Sequence, residues 1–266
     1  MEKRDLIFDF YAYLFARKKF YRLNRILFRL SLRGMGIFNY KSDAASGEEY
    51  FLREHLRGVE KPVVFDVGAN KGDYSSAILK ANRDAEVFAF EPHPITFEDL
   101  SRRLSPLGAK VINAACGKLP GRMVLYDYLT GGSEHASLYK GVIEELHRQK
   151  AQEHTVDVID LDTFVISRGI KRIHLLKIDT EGHELEVLSG AKRILKEQRI
   201  GAIQFEFNEM NLISRTFLRD FYTSLSEYRL HRMVRDGLVP LPEQAPALCE
   251  LFAFQNIVAL PRPLSQ

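Results

Sequence analysis

The sequence predicts an α/β fold built on a doubly wound, mostly parallel, Rossmann-like sheet, preceded by an N-terminal helical extension. Short apolar runs alternate with helical patterns, which is typical of this fold class. The three clearest strands are 63–67, 86–90 and 173–179, and each ends at or beside an acidic residue. Because the carboxyl ends of parallel strands form one edge of a sheet, we expect these acids to share one crevice.

The first of these strands runs into a glycine turn, in the segment Val63-Val64-Phe65-Asp66-Val67-Gly68-Ala69-Asn70-Lys71-Gly72. Glycines allow a tight turn and a close approach to a ligand. The spacing lacks the second glycine of a dinucleotide fingerprint and does not match a phosphate loop. An acid at the strand end suits a ligand with a positive amino group, such as S-adenosylmethionine. A strand–turn–helix crossover without a ligand is the alternative.

A second acid, Glu91, ends the next strand and is followed by Pro92. In nucleoside-binding sheets an acid at this place accepts hydrogen bonds from the ribose hydroxyls. Such charge-assisted bonds are strong. The alternative is a solvated acid before a turn. The spacing of Glu91 from Asp66 and the glycines favours a ligand instead.

Three segments, 65–72, 90–92 and 175–188, together resemble the FkbM family of S-adenosylmethionine-dependent methyltransferases, and the block 177–188 is the most specific of them. The resemblance implies the seven-stranded methyltransferase sheet within a domain at 46–266. It also implies O-methylation, often of sugars or secondary metabolites, and therefore a small-molecule or glycan acceptor. The expected cofactor-binding residues are Asp66, Gly68, Ala69, Asn70, Gly72, Ser75, Glu91, Asn113, Ala114 and Ala115, the last three at the exit of a third strand.

The turn 180–184 follows the strand 173–179 and predicts the catalytic side of the crevice. His183 is the expected general base, because the ordinary pKa of histidine lies near neutrality. Glu181 is expected to orient His183 or to hold the acceptor, and Asp179 lies beside them. A surface histidine and acids that complement the helix dipole are the alternative interpretation.

A metal-assisted route is a further hypothesis. Asp179, Glu206 and Asn208 stand at neighbouring strand ends and could offer oxygen ligands to Mg²⁺. The metal-free route is favoured, because no fixed spacing motif supports these ligands.

The remaining pattern completes the sheet. A glycine-containing loop is expected at 130–135, where it could cover the crevice, and a proline-rich connection at 239–246. Helices are predicted over 74–81 and 96–104, and strands over 110–117, 122–129, 155–159, 200–208, 228–234 and 251–260.

Composition fits a soluble protein of 266 residues, with 45% hydrophobic and 27% charged residues. The two cysteines, Cys116 and Cys249, imply no disulfide framework, so we expect a reducing, cytoplasmic location. The apolar run 6–15 contains Asp9 and is too short to span a bilayer, and the segment lacks the features of a signal peptide.

The extension 1–45 is expected to be helical and basic. Residues 17–33 contain seven basic residues and no acid, whereas the whole chain has a net charge of only +3. Three interpretations stay open: a helical cap with its basic side in water, attachment to an anionic membrane surface, and nucleic-acid binding. The last is disfavoured because no nucleic-acid-binding module accompanies the charge. The main rival function is a catalytically inactive module for membrane attachment or assembly. Oligomeric state is left open.

Overall fold

The computed structural model describes residues 3–129, 135–243 and 245–263. The helices are α1 Lys3–Phe15, α2 Tyr21–Gly34, α3 Asp43–Ser46, α4 Glu48–His55, α5 Asp73–Ala81, α6 Pro94–Leu104, α7 Leu161–Ser167, α8 Glu184–Ser189, α9 Lys192–Lys196, α10 Met210–Ser214, α11 Leu218–Ser224 and α12 Pro246–Cys249. The strands are β1 Val63–Val67, β2 Glu86–Phe90, β3 Lys110–Ile112, β4 Ala115–Cys116, β5 Gly121–Tyr128, β6 Ala151–Ile159, β7 Leu175–Ile178, β8 Ile203–Phe207, β9 Tyr228–Val234, β10 Gly237–Pro240 and β11 Gln255–Pro261. Short helical turns lie at Lys18–Phe20, Ser105–Leu107 and Val142–Leu146.

The main sheet has the order β10-β9-β11-β8-β7-β1-β2-β3. Strands β3, β2, β1, β7 and β8 are parallel, whereas β11 is antiparallel to both β8 and β9. The strand order reverses between β1 and β7, so their carboxyl ends flank the crevice expected in a doubly wound sheet. The predicted fold class is confirmed. Seven strands form the expected sheet, and β10 adds an eighth at its edge.

Alternation along β1 explains how the sheet is covered on both faces. Phe65 and Val67 point into a core that includes residues of α7, α8, α9 and α11. Val64 points into the opposite core, which includes residues of α4, α5 and α6. All three side chains are at most 1% exposed. Because β1 packs against a core on each face of the sheet, its position is fixed, and so is the position of the turn that follows it.

The segment 110–117, predicted as a third strand and its exit loop, contains two strands that lie in different sheets. Lys110–Ile112 pairs with β2 in the main sheet, while Ala115–Cys116 pairs with β6 in a second sheet of order β4-β6-β5. The predicted strand 155–159 begins earlier, at Ala151, and pairs antiparallel with β5. This small sheet stands over the carboxyl ends of β1 and β2.

The proline-rich connection predicted at 239–246 is partly wrong. Val239 and Pro240 belong to β10, which pairs with β9, and Pro246 begins α12. Proline is tolerated there because β10 lies at the edge of the sheet. Most of the loop predicted at 130–135 lies outside the described residues; His135 is described.

The N-terminal helices form a hairpin. The Tyr11 hydroxyl donates to Asn24 Oδ1 at 2.6 Å, and Asn24 Nδ2 donates to the Phe15 carbonyl at 3.0 Å. Among the described side chains of α1 and α2, only Leu32 is buried. Within the described part of the chain, no helix combines the length and the apolar character needed to cross a membrane.

Candidate active site

Two cavities meet at the carboxyl edge of β1 and β7. The larger, here called the crevice, has a volume of about 670 Å³ and is bordered by Asp66, His135 and Lys177, among others. The smaller, here called the narrow cavity, has a volume of about 80 Å³ and lies under the small sheet. Both cavities are bordered by the same four residues, Gly68, Asn70, Asp179 and Glu181. These four residues mark the place where two bound molecules could meet.

Glycine is required at Gly68 for a close approach between strand ends. Its φ is +79°, and a Cβ there would stand 1.8 Å from the Asp179 carbonyl oxygen. Gly72 has a φ of +81°, and a Cβ there would stand 2.6 Å from Leu100 Cδ1. Gly68 therefore shapes both cavities, whereas Gly72 lets α5 and α6 pack closely and borders neither cavity.

Asp66 lies in the wall of the crevice and is 1% exposed. Burial raises its pKa to about 6, although a hydrogen bond from Ser75 works against the rise. Ser75 Oγ donates to Asp66 Oδ2 at 2.6 Å and is itself fully buried. Ser75, expected to touch the cofactor, thus lies behind Asp66 and positions it. Ala69 borders the crevice directly.

Glu91 ties the glycine turn to the loop after β2. Its Oε2 accepts from the Asn70 amide at 2.9 Å, and its Oε1 accepts from the His93 amide at 2.7 Å. Burial raises its pKa to about 7, against these two backbone bonds. Asn70 has a left-handed φ of +47°, and its buried Oδ1 has no hydrogen-bond partner. An unpartnered acceptor at the junction of the two cavities is suited to a ligand donor.

The three residues predicted beside the adenine have different roles. Ala114 and Ala115 border the narrow cavity together with Glu91. Asn113 does not border it. Its Nδ2 donates to the carbonyls of Glu91 and Pro92, at 2.9 and 3.1 Å, and so braces the Glu91 loop.

The turn after β7 is strained and braced. Glu181 and Gly182 both have positive φ angles, +52° and +103°. Glu184 Oε1 accepts from the amides of Thr180 and Gly182 at 3.1 and 3.0 Å, and its Oε2 accepts from Asn211 Nδ2 at 3.3 Å. Strained residues persist where their surroundings fix them, often at functional sites. Glu184 supplies that fixation here.

The braced turn presents the Glu181 side chain to the crevice. Glu181 Oε1 lies 3.0 Å from His135 Nδ1, and the buried Oε2 has no hydrogen-bond partner. Burial raises the pKa of Glu181 to about 7, although the hydrogen bond with His135 lowers it. A carboxyl group with a pKa near neutrality can exchange a proton with a bound hydroxyl.

His183 lies in the wall of the narrow cavity rather than of the crevice. It is 4% exposed, and neither ring nitrogen has a hydrogen-bond partner. Burial lowers its pKa to about 4. His183 therefore borders the narrow cavity together with Glu91, Ala114 and Ala115, whereas His135 borders the crevice.

Lys177 occupies the space between the carboxylates considered as metal ligands. Its Nζ lies 3.3 Å from Asp179 Oδ2 and 3.8 Å from Glu206 Oε1, and the residue is 3% exposed. Burial opposes its charge, but Asp179 and Glu206 raise its pKa well above the ordinary value. Asn208 Oδ1 accepts from the Met210 amide at 3.0 Å. These side chains fit an ammonium group better than Mg²⁺, and no metal-ligand cluster occurs among the residues described.

Two residues that contact the acids of the crevice were not predicted as site residues. Lys177 could have been found, because a lysine inside the otherwise apolar run Leu175–Ile178 must have buried partners. His135 ends the loop 130–135 that was expected to cover the crevice, but its contact with Glu181, 46 positions away, depends on the fold.

Comparison with known proteins identifies the family of the chain. The model of the methyltransferase FkbM domain matches residues 66–227. The hexuronic acid methyltransferase AglP of Haloferax volcanii is 30% identical over 155 residues, which cover 56% of this chain and 59% of AglP. The 31-O-demethyl-FK506 methyltransferase FkbM of Streptomyces tacrolimicus is 31% identical over 182 residues, which cover 55% of this chain and 70% of that protein.

Among solved structures, an S-adenosylmethionine-dependent O-methyltransferase from Thermotoga maritima has a TM-score of 0.43 and 11% identity, covering 82% of this chain and 66% of that one. The chain spans about 60% of the length of the first curated relatives that it matches. The family match begins at the end of β1, includes β2 and β7, and covers more than half of the chain. The predicted resemblance is confirmed: the chain belongs to the FkbM family of methyltransferases.

Proposed function

We propose that the protein is an S-adenosylmethionine-dependent O-methyltransferase that acts on a hydroxyl of a carbohydrate or of a glycosylated or secondary metabolite. The observation that carries the proposal is the junction of the two cavities at Gly68, Asn70, Asp179 and Glu181. A cofactor held between Glu91 in the narrow cavity and Asp66 in the crevice would cross this junction, and an acceptor in the rest of the crevice would meet it there. The named relatives are methyltransferases of hexuronic acid and of 31-O-demethyl-FK506, which supports this acceptor class.

The residues present fit the cofactor. Gly68 leaves room for close approach, and Asn70 Oδ1 is a buried acceptor without a partner. Asp66 offers a carboxylate to a positive amino group, and Glu91 keeps lone pairs for ribose hydroxyls beyond its two backbone bonds. When bound, S-adenosylmethionine supplies a methyl group already activated by its sulfonium.

We assign the general base to Glu181, held by His135. With S-adenosylmethionine bound as the methyl donor, the Glu181 carboxylate would accept the proton that the acceptor hydroxyl loses on methylation. Among the described residues, Glu181 Oε2 has no hydrogen-bond partner, and Glu181 is one of the four residues that border both cavities. Positioning of the two reactants supplies much of the rate enhancement in such reactions.

Lys177 is proposed to take the place that a metal ion would have. Its ammonium group holds Asp179 and partly neutralises Glu206. Because the positive charge of Lys177 is fixed between Asp179 and Glu206, the other carboxylate oxygen of Asp179 is free to orient an acceptor. The proposed reaction therefore proceeds through Glu181 without Mg²⁺.

The experiment that tests the function is a calorimetric titration with S-adenosylhomocysteine, repeated with NAD. We expect micromolar binding of the first and no binding of the second, because the glycine turn lacks the second glycine of a dinucleotide site. Binding would then justify screening glycans and hydroxylated metabolites with radiolabelled S-adenosylmethionine. Absence of S-adenosylhomocysteine binding would overturn the proposal and favour a catalytically inactive module.

A further inference from the structure

We propose that the N-terminal hairpin, formed by α1 and α2, docks the protein onto an anionic membrane surface. This inference goes beyond the proposed methyl transfer and does not depend on it. It rests on two features that lie side by side on the same helix: an exposed apolar stripe and an exposed basic stripe.

The apolar stripe runs along α2 at helical spacing and consists of Leu23, Ile26, Leu27 and Leu30. These side chains are 44%, 55%, 44% and 60% exposed. Residues at i, i+3, i+4 and i+7 lie on one face of a helix. In a soluble domain such a face is normally buried against a core, but here nothing in the described structure covers it.

The basic stripe lies next to the apolar one. Arg22, Arg25, Arg29 and Arg33 recur at steps of three and four and are all exposed. The segment 17–33 contains no acid, although the chain as a whole is nearly neutral. A helix with an apolar face beside a cationic one lies in the interface of an anionic bilayer, with its apolar side chains among the acyl chains.

Helix α1 adds further apolar surface to the same hairpin. Leu6, Ile7, Phe8 and Phe10 are 60–70% exposed, and the clasp between Tyr11 and Asn24 joins this helix to α2. At 13 residues α1 is too short to span a bilayer. Its aromatic side chains suit the boundary between headgroups and acyl chains.

Charge decides between the membrane and other occupants of this face. A second copy of the chain would bring seven more basic residues against the first seven, which opposes pairing of the two hairpins. A nucleic acid would satisfy the arginines but would leave the leucines in water. Only an anionic lipid surface complements both stripes.

The base of the hairpin is fixed beside the crevice. The Phe38 amide donates to the Phe254 carbonyl at 2.9 Å, and both residues border the crevice. Leu32, which lies in the last turns of α2, and Ile37, which follows the helix, are both buried. Docking would therefore keep the mouth of the crevice near the lipid surface.

The test is co-sedimentation of the full chain with vesicles. One set contains equal parts of phosphatidylglycerol and phosphatidylcholine, and the other contains phosphatidylcholine alone. We expect binding to the anionic vesicles only. Binding should weaken at ~1 M salt, where the screening length falls to ~3 Å.

The decisive variant is Arg22→Glu/Arg25→Glu/Arg29→Glu, which should bind anionic vesicles at least about 100-fold more weakly, the loss expected for three basic residues at such a surface. The matched control is Lys80→Glu/Arg83→Glu/Lys196→Glu, which changes the same number of exposed charges elsewhere and should bind like the wild type. Leu27→Gln/Leu30→Gln should weaken binding about 10-fold by removing apolar contacts. All the substituted side chains are exposed, so the variants are expected to fold and to keep S-adenosylhomocysteine affinity.

Equal binding to neutral and anionic vesicles, or unchanged binding of the arginine variant, would overturn the proposal. It would also be overturned by a solution dimer that dissociates in Leu27→Gln/Leu30→Gln while no vesicles are bound, since the face would then be a self-interface. Failure to bind S-adenosylhomocysteine would affect only the proposed methyl transfer.

Discussion

Burial shifts the pKa values of Glu181 and His183 in opposite directions, because it disfavours the charged form of each group. The pKa of Glu181 rises to about 7, and that of His183 falls to about 4. Glu181 borders the crevice and contacts His135, whereas His183 borders only the narrow cavity. At neutral pH, Glu181 is thus better placed than His183 to take a proton from an acceptor.

The substitution Glu181→Gln is expected to lower kcat by ~10²–10⁴-fold, the usual contribution of a positioned base. S-adenosylhomocysteine affinity should stay unchanged, because the amide keeps the shape of the side chain. Steady-state kinetics and calorimetry measure the two quantities. His183→Asn serves as the comparison and should change cofactor affinity more than kcat. The opposite pattern, with His183→Asn losing kcat alone, would return the base role to His183.

The pH dependence of kcat/KM tests the same assignment. A base must be deprotonated, so the rate should rise with pH through about 7, the pKa of Glu181. The hydrogen bond from His135 lowers that pKa. His135→Ala should therefore move the midpoint of the profile to a higher pH, in addition to any loss of rate. A midpoint that stays in place would show that His135 does not tune the base.

Glu91 is expected to contribute to cofactor affinity through its charge. Glu91→Gln keeps an acceptor oxygen for a backbone amide but loses the charge-assisted bonds to ribose hydroxyls. We expect S-adenosylhomocysteine affinity to fall ~10–100-fold, as for hydrogen bonds to charged groups. Glu86→Gln, at the other end of the same strand, is the control and should bind normally. Equal S-adenosylhomocysteine affinity of the two variants would contradict a contact between Glu91 and the ribose hydroxyls.

At the scale of elements, the turn between β1 and α5 depends on the absence of a side chain at Gly68. Gly68→Ala would place a Cβ 1.8 Å from the Asp179 carbonyl oxygen, whereas Gly108→Ala meets nothing within 4 Å at a similar φ of +87°. The control should cost ~1–2 kcal/mol from the left-handed backbone alone. Gly68→Ala should cost more than ~3 kcal/mol and abolish cofactor binding, because two strand ends must separate. Denaturant unfolding measures both; equal losses would mean that the contact is relieved easily.

Strand ends explain how much of the site could be predicted from the sequence. Asp66, Glu91 and Asp179 each follow an apolar run, so their convergence follows from parallel pairing of β1 with β2 and β7. The braces could not be predicted in the same way. Asn113 holds the Glu91 loop and Glu184 holds the turn after β7, and both act through backbone groups whose positions exist only in the folded chain.

The hairpin could be predicted as helical and basic, but its surroundings could not. Its spacing fixes which side chains share a face. Whether that face packs on the methyltransferase domain depends on the direction of α2 relative to the domain, which the spacing does not determine. In the structure, Leu23 and Leu30 are exposed. A boundary near residue 45, between extension and domain, stays a prediction. Leu32 and Ile37 are already buried, so the extension is anchored before that point.

For the whole molecule, the crevice and the narrow cavity together concentrate carboxyl groups whose pKa values are raised by burial. Asp66 and Glu91 reach about 6 and 7, and Glu206 is raised well above its ordinary value. Lys177 offsets only part of this charge. A cationic ligand such as S-adenosylmethionine would relieve the repulsion, so stability and cofactor affinity are expected to be linked.

The raised pKa of Glu181 makes the free energy of unfolding depend on pH. Its pKa is about 7 in the folded state and near 4.5 when unfolded, so between these values the folded state binds more protons. Its contribution to the free energy of unfolding is therefore fully present below pH 4.5 and is lost as pH rises through 7. Histidines with lowered pKa values, such as His183, act in the opposite sense, so variant and wild type must be compared at each pH.

Glu181→Gln mimics the protonated carboxyl and therefore removes the loss of stability that ionisation of Glu181 causes as pH rises. We expect its Tm to equal that of the wild type at about pH 4 and to exceed it by several degrees at about pH 8, since a shift of this size corresponds to on the order of 3 kcal/mol. Glu186→Gln, five positions further along the chain, makes the same change of charge and is the control. Thermal melts across this range measure both. If the Tm difference between Glu181→Gln and the wild type does not grow with pH, the Glu181 carboxyl is not held near neutrality by burial, and its assignment as the base loses its physical reason.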